Sequence, residues 1–165
     1  MRIRDMIITA LLCVIAAAPL AAHGAPPEAD YPELLYRDSA VEAVSKHDQT
    51  TIAYAVFGDE FGEITERVSR HQAYFVPADE ALADWDDEGL ANEELGALAE
   101  RHIATGPVAE QPLEYVESFT TLDGETISVA IDDRGRPLLN GEVTVVESIR
   151  LAYGYMHIID GRLDG

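Results

Sequence analysis

The sequence is poor in cysteine, and this limits its chemistry. Cys13, near the N-terminus, is the only cysteine among 165 residues. A domain downstream of it has no thiol for catalysis and no partner for a disulfide, so its stability has to come from its core. Hydrophobic residues make up 47% of the chain, enough at this length for one well-buried core. We therefore expect a single domain.

Positive charge is also scarce. Lys46 is the only lysine, and 11 basic residues stand against 31 acidic ones, which gives a formal net charge of -20. Such a chain repels a polyanion, so nucleic acid is excluded as an expected partner. We interpret the acidic residues as a solvated surface; a salt-rich habitat and loose cation binding are the alternatives.

Catalytic and metal-binding motifs are missing as well. The five histidines include no pair four residues apart, the spacing of a helical zinc site. There is no Gly-x-Ser-x-Gly nucleophile elbow and no phosphate-binding glycine loop. The acidic run at residues 84–88 is the one candidate cation site, but it lacks the glycine and the alternating ligands of a calcium loop. We expect no enzyme activity, no metal and no cofactor, and a hydrolase is disfavoured.

The N-terminus has the features of a secretory signal peptide. Arg2 and Arg4 precede an apolar run, and small residues lead up to Gly24. We expect residues 1–24 to be removed, residues 25–38, rich in Pro, Glu and Ala, to form a flexible tether, and residues 39–165 to form the domain. A retained membrane anchor is the alternative. After cleavage no stable membrane insertion is expected, and the protein is predicted to be exported, to the bacterial periplasm or out of the cell.

Helical spacing dominates the first half of the domain. Val41 and Val44 lie on one side of a predicted short helix. Asp48 is the predicted N-cap of the next helix, since its carboxylate can accept from free amides of the first turn. Residues 62–70 predict a separate helical piece.

The following segments combine a strand, a cap and a helix stop. A strand is predicted over residues 72–76, ended by Pro77, which lacks the amide that a sheet needs. Asp79 is predicted to cap the turn that follows. A helix beyond the acidic run is expected to end at Gly106 and Pro107.

The second half changes to the period of a strand. Residues 125–131 alternate apolar and polar, and the pairs Asp123-Gly124 and Asn140-Gly141 favour tight turns. Helices followed by short antiparallel strands are typical of the α+β class.

The last strand is predicted to be central in the sheet. Alternation along residues 154–163 places side chains on two faces. Tyr155, His157 and Ile159 share one face, and Met156, Ile158 and Asp160 share the other. Both faces are largely apolar, so we expect this strand to insert between strands laid down earlier.

Two stretches of sequence carry a family resemblance. Residues 153–163 have the sequence Tyr-Gly-Tyr-Met-His-Ile-Ile-Asp-Gly-Arg-Leu, and residues 73–82 have Ala-Tyr-Phe-Val-Pro-Ala-Asp-Glu-Ala-Leu. The first resembles the closing motif of fasciclin domains, Asn-Gly-x-x-His-x-Ile-Asp-x-x-Leu. The second resembles the family motif Thr-Val-Phe-Ala-Pro-Thr-Asp-x-Ala-Phe. Across residues 38–163 the resemblance implies an α+β, fasciclin-like wedge of two small β-sheets with helices packed along one edge.

The matched motif residues are expected to be structural. They are Phe75, Pro77, Asp79, His157, Asp160 and Leu163. We expect one ring nitrogen of His157 to satisfy a buried backbone carbonyl while the ring packs in the core, and Asp160 to accept from amides of the adjacent turn. A ligand or catalytic role for His157 is the alternative.

Three residues are candidate binding residues. His102 corresponds to the His of the Tyr-His motif to which the adhesive function of the family is attributed, although Arg101 precedes it here in place of Tyr. That departure, and the lack of an Asp within residues 147–150, weaken any integrin-type contact. The alternative for His102 is packing at the end of its helix. Trp85 is expected either to stack on a sugar or a partner surface, or to plug the core if it is buried.

The resemblance implies an exported, non-enzymatic adhesion or matrix-interaction module. We expect a monomer that binds a protein or glycan of the cell surface or envelope. The alternative is a soluble carrier of an apolar small molecule, such as a carotenoid, in a groove between sheet and helices. The aromatic residues that could line such a groove are Tyr31, Tyr36, Tyr54, Phe57, Phe61, Trp85, Tyr115 and Phe119.

Overall fold

The computed structural model describes residues 39–68, 71–85 and 91–163. The predicted signal peptide and tether, residues 1–38, lie outside the described residues, as does most of the acidic run at 84–88. In the ranges described, no helix combines the length and the apolar character that a bilayer span requires.

Helices form most of the first half of the domain. The first is capped as its sequence suggests, because the Ser39 hydroxyl accepts from the Glu42 amide at 3.1 Å. This confirms the short helix expected around Val41 and Val44. The α-helices of the described ranges are α1 (Ala40–Lys46), α2 (Thr51–Arg67), α3 (Asp79–Leu82), α4 (Asn92–Arg101) and α5 (Pro107–Glu110).

Helix α2 is one continuous helix rather than the two pieces expected. Its 17 residues pass through Gly58 and Gly62 without a break. Each glycine costs a helix only about 1 kcal/mol relative to alanine. That cost is outweighed by the burial of one apolar stripe, which consists of Ala53, Phe57, Phe61 and Ile64.

Gly106 and Pro107 begin a helix instead of ending one, so that prediction is wrong. Helix α4 has already ended at Arg101, and a short strand follows it. Gly106 has φ +83° and precedes α5, which Pro107 opens. Proline suits a first helical position because the amide it lacks would have no intrahelical partner there.

The strands form one mixed sheet. They are β1 (Gln72–Pro77), β2 (Ile103–Ala104), β3 (Ser118–Thr120), β4 (Thr126–Ile131), β5 (Pro137–Leu139), β6 (Val143–Leu151) and β7 (Gly154–Ile159). Their order across the sheet is β2-β1-β7-β6-β5-β4-β3. The pairing of β1 with β7 is parallel and the other strand pairs are antiparallel.

The α+β class is confirmed, but the division into two small sheets is not. Beyond the strand pairs, Ala104 in β2 forms a bridge with Thr121, directly after β3. The two ends of the sheet therefore meet and the sheet nearly closes into a barrel. The helices also do not share one edge: α1, α2 and α4 supply residues to one core of the sheet and α5 supplies residues to another.

Strand β7 is central, as predicted. It pairs with β1 on one side and with β6 on the other, and all six of its residues are buried. Met156 and Ile158 belong to the core on the helix side, which also holds Phe57, Phe61 and Tyr74. Ile159 belongs to the second core, with Phe75, Phe119, Ile127 and Leu139. Both cores are built on the same two strands, so β1 and β7 hold the domain together.

The entry into β7 requires glycine. Gly154 has φ +129°, in the region that side chains rarely adopt. A Cβ atom at this position would lie 1.9 Å from the carbonyl oxygen of Gln72 in β1. The closing motif therefore carries glycine here because the two strand backbones approach each other too closely for any side chain.

Candidate functional site

Phe75 and Pro77 serve the contact between the two central strands. The Phe75 ring stacks on Phe119 with centroids 4.5 Å apart and on His157 at 5.1 Å. Its amide donates to the carbonyl oxygen of His102 at 2.8 Å. Pro77 lies opposite Ile159 at the end of the parallel register, where a missing amide does least harm. Among the described residues, Phe75 and Pro77 make only contacts that stabilise the fold.

Asp79 caps a helix other than the expected one. Its carboxylate accepts from the Ile52 amide at 2.8 Å, in the first turn of α2, and its own amide donates to the Gln49 carbonyl at 2.8 Å. The predicted cap Asp48 is exposed, and Thr50 occupies the N-cap position of α2. The Asp of the motif at residues 73–82 therefore ties the end of β1 to the start of α2, 27 residues upstream.

His157 is a core residue, and its partner differs from the one expected. Its Nδ1 lies 2.8 Å from the hydroxyl of Ser148 on β6, where a backbone carbonyl was predicted. Its Nε2 is buried and has no hydrogen-bond partner among the described residues. Burial lowers the pKa of His157 to about 3, because a charged ring would lose its hydration without gaining a counter-charge. The ring is neutral at physiological pH and unsuited to proton transfer there.

Asp160 and Leu163 fasten the end of the chain. The Asp160 carboxylate accepts from the Thr144 amide at 2.7 Å, and the Asp160 amide donates to the Thr144 carbonyl at 3.0 Å. The partner is on strand β6 and not in the adjacent turn. The Leu163 amide donates to Nε2 of His102 at 3.2 Å. The closing motif thus bonds both to a neighbouring strand and to the end of α4.

His102 is fully buried, which removes it from the predicted binding surface. Since the Leu163 amide donates to Nε2, the ring proton is on Nδ1, which donates to the Leu98 carbonyl at 2.8 Å. The ring also stacks on Phe57 with centroids 5.8 Å apart. The alternative considered from the sequence, packing at the end of the helix, is the one that the geometry supports.

Arg101 does reach the surface, beside the buried His102. Its guanidinium donates to Asp123 at 2.5 Å and lies 3.8 Å from Glu125, with 27% of its side chain exposed. Burial works to raise the pKa of Asp123, but hydrogen bonds from Thr121 and Arg101 outweigh it and the pKa is lowered. Arg101 is therefore a positioned cation in a protein with few of them.

Trp85 is half-buried and already has two close neighbours. Phe57 stacks on its ring with centroids 5.5 Å apart, and the guanidinium carbon of Arg162 lies 5.4 Å from the ring centroid. A sugar that stacks there would have to displace Arg162. A cleft of about 220 Å³ opens beside the ring and is lined by Glu80, Ala81, Asp84, Trp85 and Arg162. Trp85 is thus both a plug of the helix-side core and a surface residue.

The aromatic residues expected to line a carrier groove do not share one cavity. Phe57 and Phe61 are fully buried in the helix-side core, and Phe119 is in the other core. Tyr54 and Tyr115 are exposed on different elements, and Tyr31 and Tyr36 lie outside the described residues. The aromatic residues therefore do not enclose one shared groove, and the geometry gives the carrier hypothesis no support.

No group of three or more acidic, histidine or cysteine side chains within the described ranges is arranged to hold a metal ion. Residues 86–88 of the acidic run lie outside those ranges.

Sequence reasoning missed the residues that complete these contacts. Ser148 could have been found, because a two-residue turn at Ala152 and Tyr153 pairs Leu151 with Gly154 and therefore Ser148 with His157. Arg162, which lies over Trp85, gives no such indication because its partner is on a remote segment.

The architecture defines a class of protein: a nearly closed mixed sheet, two cores built on a central strand pair, and motif residues engaged in internal contacts. The chain belongs to the fasciclin domain family, whose model matches residues 60–164. It is 36% identical over 92 residues, 54% of its length, to a fasciclin-like arabinogalactan protein of Cercospora beticola, and it spans 25% of that protein. Its fold is similar to a FAS1 domain pair from the insect cell adhesion molecule fasciclin I, with TM-score 0.58, 17% identity, 80% of this chain covered and 52% of that chain.

Proposed function

We propose that this protein is an exported, non-enzymatic adhesion module that binds a protein or glycan of the cell surface or envelope as a monomer. Family membership supports this proposal, as does the name of the insect relative, a cell adhesion molecule. The sequence of residues 1–24 supports export, to the periplasm or beyond the cell. The engagement of the motif histidines in internal contacts supports a role without catalysis.

One observation carries the choice of binding residues. Arg101 and Trp85 are both held in place by the buried core around His102. Arg101 precedes His102 at the end of α4, and Trp85 stacks on Phe57, which in turn stacks on His102. We define Arg101, Trp85 and Arg162 as the adhesion residues. They offer two guanidinium groups and an indole from a rigid base, the residue types that are enriched in binding hot spots.

The proposal is tested by the binding of purified protein to isolated cell-envelope fractions, measured by co-sedimentation. Arg101→Ala and Trp85→Ala are expected to weaken retention several-fold. Arg134→Ala and Tyr115→Ala are the matched controls, because they remove an arginine and an aromatic residue from exposed positions elsewhere. The controls are expected to bind as the unaltered protein does.

Two results would contradict the proposal. One is equal retention of all four variants at the level of the unaltered protein. The other is a chromophore or extractable lipid that copurifies with the protein from its native host, since the adhesion module is expected to be colourless and free of lipid.

A further inference from the structure

A half-open cavity lies where the described chain begins. Its volume is about 150 Å³, and most of its lining is apolar. An engineered apolar cavity of about 150 Å³ accommodates benzene, so this one has room for one large side chain. The residues around it are Ser39, Ala40, Thr65, Tyr74, Leu151, Ala152 and Tyr153.

The polar groups in the wall of this cavity are already bonded within the domain. The Thr65 hydroxyl contacts the Phe61 carbonyl at 2.6 Å and the Tyr74 hydroxyl at 2.7 Å, and the Tyr74 hydroxyl also bonds to Gln72. Tyr153, on the rim, is 54% exposed. Because these polar groups already have partners, an apolar side chain is favoured over a polar one as the occupant of the cavity.

The start of the domain is part of the same wall. Ser39 lines the cavity while its hydroxyl caps α1. The first described residue of the domain therefore lies at the cavity. A chain extends at most about 3.6 Å per residue, so three residues span at most about 11 Å.

The sequence just before Ser39 is more apolar than the sequence further upstream. Residues 31–36 include Tyr31, Leu34, Leu35 and Tyr36, whereas residues 25–30 contain no leucine and no aromatic residue. A spacer has no need of this cluster, which would expose apolar surface to water. Only residues 37 and 38 separate this apolar cluster from Ser39, which lines the cavity.

We propose that residues 31–36, named here the pre-domain segment, dock on their own domain with one apolar side chain in the Ser39 cavity and another against Tyr153. The segment is then part of the folded unit, and only residues 25–30 remain as a spacer. A second copy of the chain is the rival occupant of the cavity.

A double-mutant cycle measured by urea unfolding tests this docking. All variants are made in the chain that follows the predicted signal peptide, residues 25–165. The segment variant combines Leu34→Ser, Leu35→Ser and Tyr36→Ser, and the cavity variant is Tyr153→Ser. Each is expected to lower the unfolding midpoint. The combined variant is expected to lose less than the sum of the two single effects, because the contact between the segment and Tyr153 can be lost only once, whereas the edge contact of Tyr153 with His71 is lost in either background.

The matched control replaces Glu28, Ala29 and Asp30 by serine and is expected to leave the midpoint unchanged. The proposal is overturned if the segment variant behaves like this control, or if the segment and cavity variants have additive effects. It is also overturned if the coupling appears only at protein concentrations where size-exclusion chromatography detects a dimer, because the occupant is then a second copy.

Discussion

The central strand pair and the surface positions Arg101 and Trp85 use their side chains in opposite ways. In β1 and β7 every residue is buried, and the motif side chains Phe75 and His157 contact partners inside the domain. At the surface, Arg101 and Trp85 are held by internal contacts on one side and open to solvent on the other. The comparison indicates that the family motifs specify the scaffold, whereas the binding residues that we propose lie at the surface.

The same contrast separates neighbouring residues at the end of α4. His102 is enclosed and uses both ring nitrogens, while Arg101, one residue earlier, bonds to Asp123 and Glu125 at the surface. A histidine that looks like an adhesive residue in the sequence is therefore the anchor that positions its neighbour. Substitutions in the strand pair should remove stability, and substitutions at the surface should remove binding.

The largest effect is expected from Gly154→Ala. The added Cβ meets the Gln72 carbonyl oxygen at 1.9 Å, and sheet pairing fixes both that oxygen and the Gly154 backbone to which the Cβ would be attached. We expect the variant to fail to fold or to lose more than about 3 kcal/mol of unfolding free energy, measured by urea denaturation. Gly124→Ala is the control, since Gly124 has φ +94° but no atom within 4 Å of an added Cβ. Similar losses in both variants would refute the close approach as the cause.

The two buried histidines should differ in their contribution to stability. His102→Ala leaves a void and removes the hydrogen-bond partner of the Leu98 carbonyl and of the Leu163 amide. We therefore expect the unfolding free energy to fall by about 4 kcal/mol. His157→Ala removes one hydrogen-bonded partner, and we expect a loss of about 1 to 3 kcal/mol. Calorimetry or urea unfolding checks that His102→Ala loses more stability than His157→Ala. An unchanged midpoint in His157→Ala would mean that the ring is accessible.

Acid should weaken the domain through His157. Its pKa is about 3 in the folded protein and about 6.5 in the unfolded chain, so between these values only the unfolded chain binds the proton. Stability from this group is complete above pH 6.5 and falls by about 1.4 kcal/mol for each pH unit below it, until pH 3. His157→Gln should flatten the dependence, measured by urea unfolding from pH 7 to 4. His71→Gln, at an exposed position, should leave it unchanged; equal slopes in all three proteins would contradict the assignment.

The smallest effect concerns the cap of α2. Asp79→Ala removes the acceptor of the Ile52 amide and should lower the unfolding free energy by about 1 kcal/mol. Asp48→Ala, at the position that the sequence favours as the cap, should stay within about 0.5 kcal/mol of the unaltered protein. A larger loss for Asp48→Ala than for Asp79→Ala would mean that Asp48, and not Asp79, caps α2.

These cases show which parts of the structure could be predicted. The central position of β7 follows from its apolar residues on both faces, and the α+β class follows from the change of period along the chain. The role of Asp79 could not be predicted, because its partner Ile52 is 27 residues away and local spacing favours Asp48 as the cap. Likewise, the burial of His102 depends on Phe57 and Leu163, which only the fold brings to it. Local patterns give elements, whereas partners depend on which elements meet.

The most direct test of this account measures stability and binding together in His157→Ala and Arg101→Ala. His157→Ala is predicted to unfold at lower urea but, at a temperature where it is folded, to bind envelope fractions as the unaltered protein does. Arg101→Ala is predicted to lose about 1 to 2 kcal/mol, since its ion pair with Asp123 is half-buried and only partly screened by solvent, and to bind several-fold more weakly. A folded His157→Ala that no longer binds, beside an Arg101→Ala that binds fully, would contradict it.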